Sequence, residues 1–300
     1  MNDQLELPGL DGANPMAFLA ALGLLSVGDR MVGPRAWRLS WRNRAVATPI
    51  LHGAGGIDEI LFAVMADREA WLSAPVLKYP ESDLKFRPSD LRYYISKCRD
   101  AKDGGRSAAL VNALVAEGPV DGKGNAKPSD LYFTAGQQKF VEMIRRIRDG
   151  MTGANVEEAL LEPWRYNGSV PSLKWDIIDD RPYALGATDP STTTKSTVPA
   201  AEWLALLGLA SLPVFADGSR LATTGCKGGW KSGTFTWPNR STPMSHRTAM
   251  SLIGALSADS FRTLPGWSVF RLYQSAIKRS DQGGYGTFSP PRPVWESETT

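Results

Sequence analysis

The glycine-rich segment from Gly225 to Ser232 is the part of the chain that comes closest to a motif with known chemistry. It reads Gly-Cys-Lys-Gly-Gly-Trp-Lys-Ser and nearly matches a phosphate-binding loop, whose backbone amides wrap phosphates ahead of a helix. Trp230 stands where that loop needs a glycine, and the residues after Ser232 favour a strand over a helix. We therefore expect no nucleotide hydrolysis here.

Side chains for acid–base, nucleophilic or metal chemistry are sparse. The chain has two histidines, His52 and His246, and neither lies in a metal-ligand spacing. Cys98 lies between Lys97 and Arg99, cations of the kind that lower the pKa of a thiol, but a catalytic thiolate also needs a paired base. Because there is neither a Gly-x-Ser-x-Gly elbow nor a His-Glu-x-x-His stretch, we expect no enzyme activity, no metal and no cofactor.

Four aspartates supply the remaining candidate chemistry: Asp176, Asp179, Asp180 and Asp189. Neighbouring carboxylates bind magnesium or act in acid–base catalysis. The favoured interpretation is a solvated loop with turn caps, because two of these aspartates lie in Asp-Arg-Pro and Asp-Pro sequences typical of turns. A carboxylate-dependent nuclease stays open as an alternative.

Basic residues interleaved with tryptophans form the strongest binding signal. One group is Trp37, Arg38, Trp41, Arg42 and Arg44; the other is Lys227, Trp230, Lys231, Trp237 and Arg240. Basic groups bind phosphates, and tryptophan stacks on bases or packs beneath arginine stems. Since alternation in a strand is typical of rings that face the core, we assign the nucleic-acid contact to the charges and keep base stacking by tryptophan as a minor alternative.

The positive charge is unevenly distributed along the chain. Residues 218–279 hold nine Lys or Arg against a single acid, Asp259, whereas residues 151–217 hold four against nine. Such a segment is typical of a surface that binds a polyanion. An acidic partner protein, or the chain's own acidic 151–217 segment, is the alternative occupant of the basic surface.

Helical and extended patterns alternate along the N-terminal part of the chain. Asn14 as cap, Pro15 and an apolar face predict a helix over 15–27. Period-two alternation predicts a strand over 37–44, and helical spacing predicts a second helix over 57–72. The longest apolar stretch spans about 12 residues against the roughly 20 of a membrane helix, so we expect no transmembrane segment and a cytoplasmic protein.

A short apolar block occurs twice. Phe18–Leu24 aligns with Trp203–Leu209 at a constant offset of 185, with five of seven positions identical. In each case a proline precedes the block, and a Trp/Lys/Arg strand and a helical pattern follow it. The repetition indicates either an internal duplication, and hence two related lobes, or chance recurrence of an apolar helix.

The region between the two copies is predicted to hold a helix over 89–100, a polar loop over 118–128 and a helix that ends near Asp149. Thr134 and Gln137 have the spacing of a capping box. We therefore predict an α+β fold of helices and antiparallel strands, with two pseudo-repeated lobes. Its regions are an N-terminal lobe (1–117), a connecting helix and acidic loop (118–195) and a basic C-terminal lobe (196–300).

Four further blocks stand out along the chain: Leu7–Leu25, the Ala-Gly-Gln-Gln turn at 135–138, Arg-Pro-Tyr-Ala-Leu-Gly at 181–186 with Asp-Pro-Ser at 189–191, and Phe-Thr-Trp-Pro at 235–238. In their order and spacing, these blocks resemble CRISPR-associated large-subunit-type proteins of the type I-U (I-G) systems. The resemblance implies a non-catalytic subunit of a Cascade-type, RNA-guided surveillance complex. Such a subunit helps to recognise the flanking motif and to hold the displaced strand, while a separate helicase–nuclease cuts.

The expected partners are guide RNA, target DNA, other Cascade subunits and the recruited helicase–nuclease. The resemblance carries no residue-level motif, so the candidate nucleic-acid-binding residues come from charge and position alone. They are Arg38, Arg42, Arg44, Gln137, Gln138, Lys139, Lys227, Lys231, Arg240 and Arg247. A guide-RNA-binding backbone subunit and a purely structural adaptor are the other functions that fit this sequence.

Overall fold

The computed structural model describes residues 4–78, 83–84, 86–134, 138–179, 197–256, 261–280 and 285–297. The α-helices in this part are α1 (Pro15–Met31), α2 (Ile57–Ala70), α3 (Pro88–Arg99), α4 (Arg106–Leu114), α5 (Phe140–Gly150), α6 (Gly153–Leu161), α7 (Pro199–Leu209) and α8 (His246–Ala255). The strands are β1 (Gln4–Glu6), β2 (Arg38–Trp41), β3 (Pro49–His52), β4 (Val115–Val120), β5 (Ala126–Pro128), β6 (Val214–Asp217), β7 (Arg220–Thr223), β8 (Cys226–Lys227), β9 (Thr234–Arg240), β10 (Val269–Arg279), β11 (Gly286–Phe288) and β12 (Arg292–Glu296).

Antiparallel pairing joins these strands into sheets. A small sheet has the order β1-β3-β2, and the main sheet has the order β11-β10-β9-β8, with β12 also paired to β10. Strands β4 and β5 form one separate hairpin, and β6 and β7 form another. The predicted α+β class, with mixed helices and antiparallel strands, is therefore confirmed.

Helix α1 begins where the sequence predicts. The Asn14 side chain accepts hydrogen bonds from the backbone N–H groups of Met16 (2.9 Å) and Ala17 (3.4 Å), and Pro15 occupies the first helical position. The helix is buried on all sides from Pro15 to Gly28. It continues to Met31, past the predicted end, because its last turn is polar and partly exposed and so lacks the apolar pattern that reveals a helix.

The two copies of the repeated block, in α1 and α7, pack directly against each other through glycines. A Cβ atom on Gly23 would lie 1.8 Å from the Leu204 carbonyl oxygen, and one on Gly208 would lie 1.9 Å from the Leu19 carbonyl oxygen. Leu19 and Gly23 of α1 correspond to Leu204 and Gly208 of α7 at the offset of 185 residues. The contact is therefore reciprocal, as at an axis of twofold pseudosymmetry. This reciprocity is what two duplicated helices would show.

Aromatic rings connect α1 to both sheets. The Phe18 ring lies 6.1 Å from the Trp41 ring of β2 and 6.2 Å from the Trp237 ring of β9, measured between centroids. Leu39 and Met244 exchange two backbone hydrogen bonds of 2.8 Å, which bring β2 to the segment just before α8. The small sheet, the main sheet and α1 thus share one buried aromatic contact region.

Two local predictions in the middle of the chain were wrong. The polar loop over 118–128 is largely the β4–β5 hairpin. The helix that follows begins at Phe140 with Lys139 as its N-cap, so Thr134 does not cap it. Thr134 is buried in a non-helical stretch that packs into the core, and Gln137 lies outside the described residues. In the described part of the chain, no helix is long and apolar enough to cross a bilayer.

Candidate nucleic-acid interface

Exposed basic side chains and one exposed tryptophan lie at one end of the main sheet, at the turn between β8 and β9. We call these residues the hairpin-end cluster: Arg220, Lys227, Trp230, Lys231 and Lys278. Arg220 Nη2 donates a hydrogen bond to Gly228 O, and Ile277 N donates one to Gly233 O at 2.7 Å. These bonds bring β7, the β8–β9 turn and β10 together at this end of the sheet.

Trp230 is the residue that interrupts the near match to a phosphate-binding loop, and it has a contact of its own. The guanidinium of Arg279 lies 3.8 Å from the centroid of its ring. Arg279 donates to the carbonyl oxygens of Tyr132 (2.9 Å) and Asp130 (2.6 Å), which holds the guanidinium in place. Burial lowers the pKa of Arg279 to about 10, so it stays cationic at neutral pH. The Trp230 ring remains 53% exposed.

The other tryptophans of the two basic groups face the core, as predicted. Trp37, Trp41 and Trp237 are each at most 2% exposed. The strand predicted after Ser232 is β9, so no helix dipole follows the glycine-rich segment. Trp230 is the exception to the core-facing rule because it lies in the turn, outside the alternation of the strand.

Arg38, Arg42 and Arg44 lie at or just beyond β2 in the small sheet. Arg38 and Arg44 are exposed. Arg42 is half-buried and forms an ion pair with Glu6 of β1. The Arg44 carbonyl oxygen accepts a hydrogen bond from Arg271 Nη1 at 3.4 Å, so this loop contacts the main sheet. Two of the three predicted arginines are therefore exposed.

Arg240 and Arg247 flank Met244 in the sequence, and Met244 is the residue that pairs with Leu39 of β2. Arg240 ends β9, and its Nε donates to the Trp267 carbonyl oxygen at 2.7 Å; burial also lowers its pKa. Arg247 is exposed in the first turn of α8. The six residue steps of β9 separate Arg240 from the hairpin-end cluster by about 20 Å. The basic residues of the C-terminal region therefore lie at two ends of the sheet.

Some of the basic side chains in residues 218–279 are partly buried and form hydrogen bonds or ion pairs within the protein. Arg240, Arg271 and Arg279 are half-buried and hydrogen-bonded to the chain, and Arg271 pairs with Glu296 at 2.7 Å. The exposed basic residues of this segment are Arg220, Lys227, Lys231, Arg247, Arg262 and Lys278. A charge count along the sequence thus overstates the field that reaches solvent.

Gln138 and Lys139 lie in a third place, at the start of α5. They line a cavity of about 340 Å³ together with Glu142, Arg146 and Lys174. Gln137, predicted with them, lies outside the described residues. The predicted binding residues that can be placed therefore form three separate groups.

Asp176, the first of the four candidate aspartates, has a structural role. It is 3% exposed, and its Oδ1 accepts a hydrogen bond from Asn14 Nδ2 at 2.9 Å, while its Oδ2 accepts one from Tyr166 Oη at 2.8 Å. It thereby fixes the residue that caps α1. Asp180, Asp189 and the side chain of Asp179 lie outside the described part of the chain.

The cysteine singled out above does not have the setting of a catalytic thiolate. Burial raises the pKa of the Cys98 thiol to about 12, with the Asp103 charge adding to the effect, so its basic neighbours in sequence do not activate it. His52 Nε2 lies 2.8 Å from Ser40 Oγ. His246 Nε2 lies 2.6 Å from Ser211 Oγ, and its Nδ1 lies 3.5 Å from Asp29 Oδ2, which is the order of groups in a Ser-His-Asp triad, although Ser211 is only 1% exposed. Burial lowers the pKa of both histidines. Over the ranges described, no three His, Cys, Asp or Glu side chains are grouped as metal ligands would be.

Sequence reasoning missed two members of the hairpin-end cluster, Arg220 and Lys278, and treated Trp230 as a failed motif position. A signal was present, since a tryptophan inside a Gly-Gly-Trp-Lys-Ser-Gly turn is poorly placed to reach a core. No protein-family model matches this chain, and no curated protein matches its sequence significantly.

Proposed function

We propose that this protein is a non-catalytic, nucleic-acid-binding subunit of a CRISPR type I, Cascade-like surveillance complex, which contacts guide RNA or target DNA. The observation that carries the binding function is the hairpin-end cluster, where an exposed tryptophan and exposed basic side chains lie at the same end of the main sheet. Single-strand binding surfaces combine these two features, because cations contact phosphates and aromatic rings stack on bases whatever their sequence. The assignment to a Cascade-like complex rests on the resemblance of the sequence blocks.

The basic part of the cluster is suited to backbone contacts that need no particular sequence. In an RNA-guided complex, base pairing with the guide reads the sequence, and the protein holds strands by their phosphates and shape. Arg279 behind Trp230 adds a positive charge beneath the ring and leaves part of the ring open to a base. The cluster therefore supports a role in holding a single strand, such as the displaced strand of the target.

The first test neutralises the cluster. The triple variant Lys227→Gln, Lys231→Gln and Lys278→Gln is expected to bind single-stranded oligonucleotides about 10- to 100-fold more weakly at 0.1 M salt. The slope of log affinity against log salt should fall by about 2, because each phosphate contact on a single strand contributes about 0.7. Fluorescence anisotropy of labelled DNA and RNA between about 50 and 300 mM salt measures both quantities.

The control for this triple variant is Lys97→Gln, Arg99→Gln and Lys102→Gln. These residues are also exposed, lie at or just beyond the C-terminal end of α3, and give the same change in net charge. Equal losses in the two triple variants would mean that total charge, rather than this cluster, drives binding. Binding by the unaltered protein that does not weaken with salt would contradict the proposal itself.

The contribution of Trp230 to single-strand binding can be measured separately from that of the lysines. Trp230→Ala is expected to weaken single-strand binding by about 5- to 150-fold, the range for loss of one stacked base, while the salt slope stays unchanged. Trp230→Phe should retain most of the affinity because it keeps an aromatic face. If Trp230→Ala binds as the unaltered protein does, stacking at this ring makes no contribution.

A further inference from the structure

A groove of about 490 Å³ opens on the outer face of the main sheet, next to the hairpin-end cluster. This volume lies within the range of sites for small organic groups. Thr236 of β9 and Gln274 of β10 line it, and Phe215, Phe261 and Lys227 line its sides. Because Lys227 belongs to both, the groove and the hairpin-end cluster form one continuous surface.

Two polar side chains lie next to each other on the sheet, in a lining that is otherwise largely apolar and includes Ile253, Leu272 and Val294. Thr236 and Gln274 are paired in register, and Gln274 Nε2 donates to Thr236 Oγ1 at 3.2 Å. Trp237 and Tyr273, the next residues along each strand, stack on each other in the core on the opposite face. An amide and a hydroxyl held side by side offer donors and acceptors of the kind that recognise the edge of a base.

Two phenylalanines line the same groove and remain accessible. Phe215, on β6, is 56% exposed, and Phe261, before β10, is 38% exposed. Exposed aromatic rings at a concave site are typical of ligand contact, since the rings lose little conformational entropy when they pack. Rings beside one polar pair, in a largely apolar lining, suit a flat ligand with apolar faces and polar edges.

The charge around the groove favours a ligand that carries phosphate. Among the described lining residues Lys227 is the sole charged side chain, and no carboxylate faces it there. An acidic peptide would also suit the lysine, but it would not use the paired amide and hydroxyl together with two flat rings. We infer that the groove accepts a base of a single-stranded nucleic acid whose phosphates lie on the hairpin-end cluster, an inference that rests on the proposed function.

The experiment compares strands with and without bases. A single-stranded oligonucleotide with 2-aminopurine at its centre is titrated against the full-length protein, in parallel with an abasic strand of equal length and phosphate number. The affinity for the base-containing strand, divided by the affinity for the abasic strand, is expected to fall at least about five-fold in Phe215→Ala. Phe62→Ala removes a ring that is 76% exposed on α2 and does not line the groove, so it should leave the ratio unchanged.

A second variant separates stacking from general apolar contact. Phe215→Leu keeps apolar volume but has no flat face, so it should behave like Phe215→Ala and should lose the quenching of 2-aminopurine emission. An unchanged affinity ratio in Phe215→Ala, or a ratio fully restored in Phe215→Leu, would overturn the base-binding groove. In that case, salt-dependent binding of the abasic strand would still leave the proposed function intact. Absence of salt-dependent binding of either strand would overturn both.

Discussion

Replacement of Asp67 by asparagine is expected to lower the free energy of unfolding by about 3–5 kcal/mol, the cost of breaking a buried ion pair from one side. Asp67 lies in α2 and is completely buried. Its carboxylate accepts hydrogen bonds from Arg30 at 2.6 and 2.8 Å and from Arg106 at 2.7 and 3.1 Å, and from Trp71 Nε1 at 3.1 Å. Asparagine would leave two largely buried guanidinium groups without their shared anion.

The same site makes stability depend on pH. Burial acts to raise the pKa of Asp67, but the hydrogen bonds and charges of Arg30 and Arg106 outweigh it, and the pKa lies below its ordinary value. A carboxyl whose pKa is lower in the folded than in the unfolded state stabilises the fold above the unfolded pKa, about 3.9. This contribution is lost as the pH falls from about 4 through the folded pKa.

Urea denaturation at pH 7 and at pH 3 measures both effects. The difference between the unaltered protein and Asp67→Asn should be largest at pH 7 and should shrink at pH 3. Glu69→Gln on the same helix is the control, because Glu69 is exposed and its ion pair with Arg68 should contribute less than about 1 kcal/mol. A loss below 1 kcal/mol for Asp67→Asn at pH 7 would show that the ion cluster does not hold α1, α2 and α4 together.

The second large effect is expected at the crossing of α1 and α7. Glycine to alanine inside a helix stabilises by about 1 kcal/mol on propensity alone. At Gly23 we expect the opposite sign and a loss of about 1–3 kcal/mol or more, because the added Cβ would lie 1.8 Å from the Leu204 carbonyl oxygen and force the helices apart. A higher free energy of unfolding would mean that helix propensity dominates at Gly23, whereas a lower one would mean that packing against α7 dominates.

Gly254→Ala in α8 is the matched control, since its Cβ would meet nothing within 4 Å and alanine there should stabilise slightly. Gly208→Ala should match Gly23→Ala, and the double variant should lose less than the two single losses combined, because both separate the same pair of helices. Thermal and urea unfolding of the four variants measure these changes. A stabilising Gly23→Ala would show that the two helices are not in close contact at this point.

Local elements could largely be predicted from the sequence because neighbouring residues determine them. The cap at Asn14 and the proline after it specify where α1 starts, and alternation assigns Trp37, Trp41 and Trp237 to the core. Helix ends and caps were less predictable. Thr134 has capping-box spacing, but the burial of its segment outweighs that preference and moves the helix start to Phe140.

The α+β class, the repeated apolar block and the excess of basic residues near the C-terminus can all be predicted or counted from the sequence. Which of those charges reach solvent depends on the folded chain, since Arg240 and Arg279 donate hydrogen bonds to the carbonyl groups of Trp267 and Tyr132, far from them in sequence. The groove beside Lys227 also exists only after folding, when β6, β9 and β10 come together. Local preference acts over a few residues, whereas burial and hydrogen bonding of a surface side chain depend on contacts that the order of residues does not reveal.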